Sequence, residues 1–83
     1  MNVQETTRKL IANWFGLNEA DITPEKELER DLQLDSLDKI EVAMAAEEEF
    51  EIELMDDDLG QVKTVGEFYA VVEKAVAAER EAT

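Results

Sequence analysis

An all-α fold, a small four-helix bundle of three main helices and one short helix, is what this sequence predicts. Two patterns carry that expectation: apolar residues recur at helical spacing in segments that open on capping residues, and no stretch of useful length alternates as a half-buried strand would. The length of 83 residues adds a third constraint, since it supports one hydrophobic core and leaves no room for a second. Residues 1–83 are therefore read as a single domain, with no internal repeat.

The first helix is expected from Asn2 to Phe15, where Val3, Leu10, Ile11, Trp14 and Phe15 fall mostly on one stripe. Asn2 with Glu5 three residues on has the spacing of a capping box, and Gly16 supplies a left-handed exit. Residues 17–34 carry no sustained period, but Leu17, Ile22, Leu28, Leu32 and Leu34 recur through them, so this long connection is expected to pack on the core. Thr23-Pro24 predicts one short helical turn within it.

Asp35 is a good N-cap for a second helix from Ser36 to about Phe50, built of strong helix formers without glycine or proline. Its apolar residues Leu37, Ile40, Val42, Ala43, Met44, Ala45, Ala46 and Phe50 cover more than one stripe, so it should touch the core and also present apolar surface outward. A short third helix is expected near Asp56 through Leu59, curtailed by Gly60. Thr64 with Glu67 repeats the capping-box spacing and opens a last helix with Val65, Phe68, Tyr69, Val72 and Val76 on one side, its tail fraying after Ala78.

The totals exclude several function classes. With 22 acidic against 8 basic residues the formal net charge is -14, which repels nucleic acid and anionic membranes and attracts basic protein surfaces. No apolar run approaches the roughly 18 residues of a membrane span, no leader pattern is present, and a cytoplasmic monomer is expected. Cysteine and histidine are both absent, which removes disulfides, thiolate zinc sites and the usual activator of a serine nucleophile. The Asp56-Asp57-Asp58 run is no EF-hand: placing Gly60 sixth puts Met55 first, Leu59 fifth and Gly66 twelfth, so no metal site is assigned. Without a nucleophile–base pair or metal cluster, no catalytic residue is assigned and the chain is read as a non-enzyme.

One residue stands at a chemically distinctive place. Ser36 occupies the first helical position after Asp35, where unpartnered backbone N–H groups and the helix dipole favour an attached anion by about 0.3–1 kcal/mol. Taken alone, Ser36 reads as a first-turn residue beside its cap.

The surrounding residues say more. Glu29-Arg30-Asp31-Leu32, Asp35-Ser36-Leu37-Asp38, Ile40-Glu41, Ala45-Ala46-Glu47-Glu48-Glu49-Phe50-Glu51 and Lys63-Thr64-Val65 together resemble the acyl carrier protein family, over nearly the whole chain. The resemblance implies that a phosphopantetheinyl transferase attaches 4'-phosphopantetheine covalently to Ser36, and that acyl groups ride on that arm as thioesters. Asp35 is expected to cap the helix and to help the transferase engage Ser36. Leu37, Asp38, Glu41, Met44, Glu47 and Glu48 are expected to face basic-surfaced acyl-processing enzymes such as ketosynthases and acyltransferases, the carboxylates acting by steering.

The sequence departs from that family at five places. Gln33 stands where glycine is frequent, which bears on the turn before the serine. Lys39 sets a cation where small or apolar residues are frequent, Leu54-Met55 replace a pair that often ends in proline, and Ala43 and Ala46 are small where bulkier residues are common. An acyl chain is accordingly expected to fold back among Ala46, Phe50, Leu54, Val62 and Phe68, each buried methylene contributing about 0.8 kcal/mol. Fatty-acid synthesis is the leading pathway, with a specialised polyketide or modified-lipid carrier as alternative. An unmodified acidic interaction module, in which Ser36 only starts a helix, is the alternative of another class.

Overall fold

Local capping sets the helix starts, and a single apolar cluster then holds the helices together. The computed structural model describes residues 2–81. Four α-helices occur among them: α1 Val3–Phe15, α2 Ser36–Phe50, α3 Asp56–Gly60 and α4 Val65–Glu81, with no strand. Among the described residues no helix is long and apolar enough to cross a membrane.

At the start of α1 the Glu5 N–H donates to Asn2 Oδ1 at 3.0 Å, while Gly16 leaves the helix at φ 64, a left-handed conformation that costs glycine nothing. The Glu5 carboxylate pairs with Lys9 at 3.4 Å. The box opening α4 is reciprocal: the Glu67 N–H donates to Thr64 Oγ1 at 3.1 Å, and the Thr64 N–H donates to Glu67 Oε1 at 2.9 Å. α4 runs on through Glu81 rather than fraying after Ala78; residues 82 and 83 lie outside the described residues.

The long connection is pinned at both ends of its course. At Thr23-Pro24 a single turn forms, closed by Lys26 N–H donating to Thr23 O at 3.1 Å, and a 3-10 helix that the sequence pattern did not indicate precedes it at Glu19–Asp21, capped by Asn18. The Asn18 side chain accepts from the Ala20 N–H, a local bond that starts this 3-10 helix. Leu28 N–H then donates to Lys63 O at 2.9 Å, Val65 N–H to Lys26 O at 2.9 Å and Gly66 N–H to Pro24 O at 2.8 Å, which straps the connection to the head of α4. A Cβ at Gly66 would lie 3.2 Å from Pro24 O, so a larger residue there would push the two backbones apart by a few tenths of an ångström.

Ile11, Ile22, Leu28, Leu34, Val42, Ala46, Leu54, Val65, Phe68 and Val72 bury into one cluster, with Leu17 and Leu32 packed against it. α1 lies against α2 and α4, and α3 joins the ends of α2 and α4. Thr7 is fully buried in this apolar setting because its hydroxyl donates to Val3 O at 2.7 Å. Trp14 falls on the α1 stripe by spacing, yet it sits in the last turn beside α2 and remains 52% exposed.

The α4 cap gives a pH dependence. The backbone N–H groups of Thr64 and Lys63 both donate to Glu67 Oε1 at 2.9 Å and hold its carboxyl below the usual carboxylate value. A lowered folded pKa means that this stabilisation is complete above pH 4.5 and is lost as pH falls from there through the folded value. Glu67→Gln is expected to flatten the acid side of a plot of melting temperature against pH, and an unchanged acid limb would refute the assignment.

Candidate functional site

The head of α2 is built by two carboxylates that satisfy each other's backbone. Asp38 N–H donates to Asp35 Oδ1 at 2.9 Å, and Asp35 N–H donates to Asp38 Oδ2 at 3.0 Å, a reciprocal capping box. Asp38, expected to face partners, is thus half-buried and committed to its own helix start. Ser36 follows the cap at the first helical position; its side chain is exposed and has no hydrogen-bond partner among the described residues. The N–H groups of Ser36 and Leu37 have no intrahelical acceptor, so they and the dipole favour an anion on the serine oxygen.

The turn into this cap is strained at one residue. Gln33 adopts φ 59, a left-handed conformation that costs a non-glycine residue about 1–2 kcal/mol. Glycine there removes the strain but enlarges the unfolded ensemble. Gln33→Gly is expected to stabilise the protein by about 0.5–1 kcal/mol in urea denaturation; a loss of stability would show that the Gln33 side chain contributes more than its backbone costs.

Beyond the serine, the outward face of α2 presents Leu37, Ile40 and Met44 at 70%, 50% and 60% exposure. Their i, i+3, i+7 spacing makes one apolar stripe, flanked by the exposed carboxylates of Glu41 and Glu48. Trp14 from α1 joins Glu41, Met44, Ala45 and Glu48 around a concavity of about 200 Å³. Glu47 does not join that face: its Oε2 accepts the Leu54 N–H at 2.9 Å and ties the end of α2 to the loop before α3. Spacing alone could not foresee this, because the bond depends on how the chain turns after Glu51, which stands in the left-handed region at φ 53.

A groove of about 240 Å³ opens beside Ser36 between α2 and α3, lined by Ser36, Lys39, Ile40, Asp56, Leu59 and Gly60. None of the five residues expected around an acyl chain lines it. Ala46, Leu54, Val62 and Phe68 are buried and Phe50 is packed against the same cluster; Val62 borders a polar pocket behind Lys39, and Phe50 a depression at the far end of the bundle. The small Ala43 and Ala46 are themselves closed off at 2% and 0% exposure, and an alkyl chain would have to part the packed helices to reach the core. Lys39, Leu59 and Gly60 were not assigned to the site from sequence; the i+3 spacing of Ser36 and Lys39 was the available signal.

These features coincide with a known family. The model of the phosphopantetheine attachment site matches residues 5–72, and the chain belongs to that family, whose members carry a covalently attached 4'-phosphopantetheine. A solved structure from Mycobacterium tuberculosis, of a protein assigned as an acyl carrier protein (Rv0033), is similar over 88% of this chain and 97% of that one, with 29% identity and a TM-score of 0.81. The protein is an acyl-carrier-protein-like carrier, and such proteins hold cargo for enzymes rather than catalyse.

The residues at the head of α2 fit the group. Ser36 supplies an exposed, unengaged hydroxyl, the helix start favours the phosphate, and the adjoining groove offers an apolar wall for an arm.

Proposed function

We propose that Ser36 carries the phosphopantetheine arm and that residues 1–83 act as one cytoplasmic, monomeric carrier domain presenting acyl thioesters to enzymes of fatty-acid synthesis. The observation that carries this reading is the exposed Ser36 hydroxyl, which makes no hydrogen bond among the described residues and stands at the head of a helix with an outward apolar and acidic stripe. In the loading step the serine oxygen bonds to the phosphorus of the phosphopantetheine end of coenzyme A. The bridging P–O bond breaks, the adenosine bisphosphate leaves, and the serine proton passes to a base of the transferase, since this chain has no histidine. Once attached, the arm supplies a thiol that holds acyl groups as thioesters.

Asp35 keeps the serine in place through the cap and presents a second carboxylate oxygen for the transferase's magnesium ion. Leu37, Met44, Glu41 and Glu48 form the docking face for basic-surfaced enzymes such as ketosynthases and acyltransferases, the apolar side chains giving contact and the carboxylates steering approach. Asp38 and Glu47 contribute charge to that field while their oxygens stay on backbone N–H groups. A second reading is a carrier for specialised polyketide or modified-lipid assembly; Lys39, a cation on an otherwise acidic helix, alters the charge pattern that partner enzymes meet and so bears on which of them accept the chain.

Intact-mass measurement after incubation with coenzyme A and a broad-specificity transferase tests the proposal. One added phosphopantetheine, localised by fragmentation to the peptide containing Ser36, is expected. A chain that takes up no mass would instead be an unmodified interaction module.

A further inference from the structure

The cations of this acidic chain are unevenly placed. Arg30, Lys39 and Lys63 line one pocket of about 520 Å³ together with Glu27 and Glu29, three positive groups against two negative. Glu27 is partly neutralised by Lys63 at 3.8 Å, and neither Arg30 nor Lys39 pairs with a carboxylate among the described residues. At two other concavities the balance is reversed: the one at Trp14 holds Glu41 and Glu48, and the depression at Phe50 holds Glu49, Glu51 and Glu79 against Arg80; the groove at Ser36 is balanced, Lys39 against Asp56. In a molecule of charge -14, a pocket with surplus positive charge receives an anion more favourably than the acidic faces do.

This pocket adjoins the groove at Ser36. Lys39 and Gly60 line both. Gly60 has no side chain to close the junction, and a Cβ built there meets nothing within 4 Å. The Lys39 Nζ donates to Val62 O at 3.2 Å, which fixes the ammonium between the two spaces and leaves it further donors. From Ser36 to Ile40 the groove advances about 6 Å along the helix at 1.5 Å per residue; a pantetheine arm is several times longer and can pass Gly60 into the pocket.

Resting on the assignment of the arm to Ser36, we propose that the pocket of Arg30, Lys39 and Lys63 receives the free carboxylate of a dicarboxylic acyl group carried on that arm. The apolar walls at Ile40 and Leu59 take the arm, and the cations take the far end of the cargo. An unsubstituted alkyl end gains nothing there, because it would strip water from charged side chains without a compensating bond.

The test uses the full chain loaded by transferase with two arms of matched length whose cargo is amide-linked and resists hydrolysis, one ending in glutaryl and one in hexanoyl. Amide proton–nitrogen spectra and thermal melts are compared, with Lys39→Met and Arg30→Gln as variants. The glutaryl arm is expected to shift the Gly60, Gln61 and Lys63 amides and to melt about 2–4 °C above the hexanoyl arm, as an ion pair of about 0.5 kcal/mol would give in a chain of this size. Either variant should remove that difference, and Arg30, being exposed, can be changed without disturbing the Lys39–Val62 contact. Equal shifts for the two arms, or shifts at Leu54 and Phe68 showing entry into the core, would overturn the proposal. So would variants that slow loading of both arms equally and leave the spectra unchanged, since the cations would then serve protein docking. A chain that gains no mass overturns the Ser36 assignment and this inference together; one that gains it but shows no glutaryl preference overturns the pocket alone.

Discussion

Ser36→Ala is expected to lose phosphopantetheine uptake completely while keeping the melting temperature of the parent. The two halves of that result have separate physical origins. Uptake needs an oxygen that can form the ester, and alanine has none. Stability does not need it, because the Ser36 hydroxyl makes no hydrogen bond among the described residues and the helix start is held by the Asp35–Asp38 box. Alanine is also a strong helix former, so the change should stay within about 0.5 kcal/mol. Intact mass and a thermal melt on the same sample decide it. Residual uptake would place the arm on another hydroxyl, and a large fall in melting temperature would show Ser36 to be structural.

Phe68→Ala should cost about 3–5 kcal/mol, the range for deleting a buried aromatic ring. Phe68 is 1% exposed and stands in the cluster that joins α4 to the other helices. A domain this small has only about 5–15 kcal/mol in total, so the melting temperature should drop by tens of degrees. Circular dichroism melts measure the drop, with Phe68→Leu, which leaves a smaller void, falling between the two. A loss below about 1 kcal/mol would mean that the bundle collapses into the space and that the core is looser than its burial indicates. If Ser36 carries the arm as proposed, uptake by Phe68→Ala is expected to fail near that variant's own melting temperature, where the helix start that holds the serine is lost.

The elements that were legible from sequence are those set by neighbours within four residues. Asn2, Asp35 and Thr64 each accept the N–H that their spacing predicts, and α2 begins at Ser36 as expected. The buried face of α4 followed from periodicity in the same way, whereas the apolar residues of α2 cover more than one stripe and packing alone chose Val42, Ala43 and Ala46 as its buried side. Less legible were the 3-10 helix at Glu19–Asp21, which Asn18 caps ahead of the turn at Thr23, and the end of α4, which keeps its helical bonds past Ala78.

The site divides along the same line. An anion-favouring serine behind an acidic cap is a local fact, written in Asp35-Ser36-Leu37-Asp38, and the charge of -14 is a matter of composition. Which side chains surround that serine is not local. Glu47 reaches Leu54 seven residues on, Lys39 reaches Val62 twenty-three residues on, and Gly60 comes to stand between groove and pocket only because α3 packs beside α2. The sequence by itself determined the helices, their caps and the serine; the tertiary structure decided which carboxylates stay outward and where the cations gather. The reason is range: capping and periodicity act through bonds within one or two turns, whereas a cavity exists only between surfaces brought together by burial of a shared core.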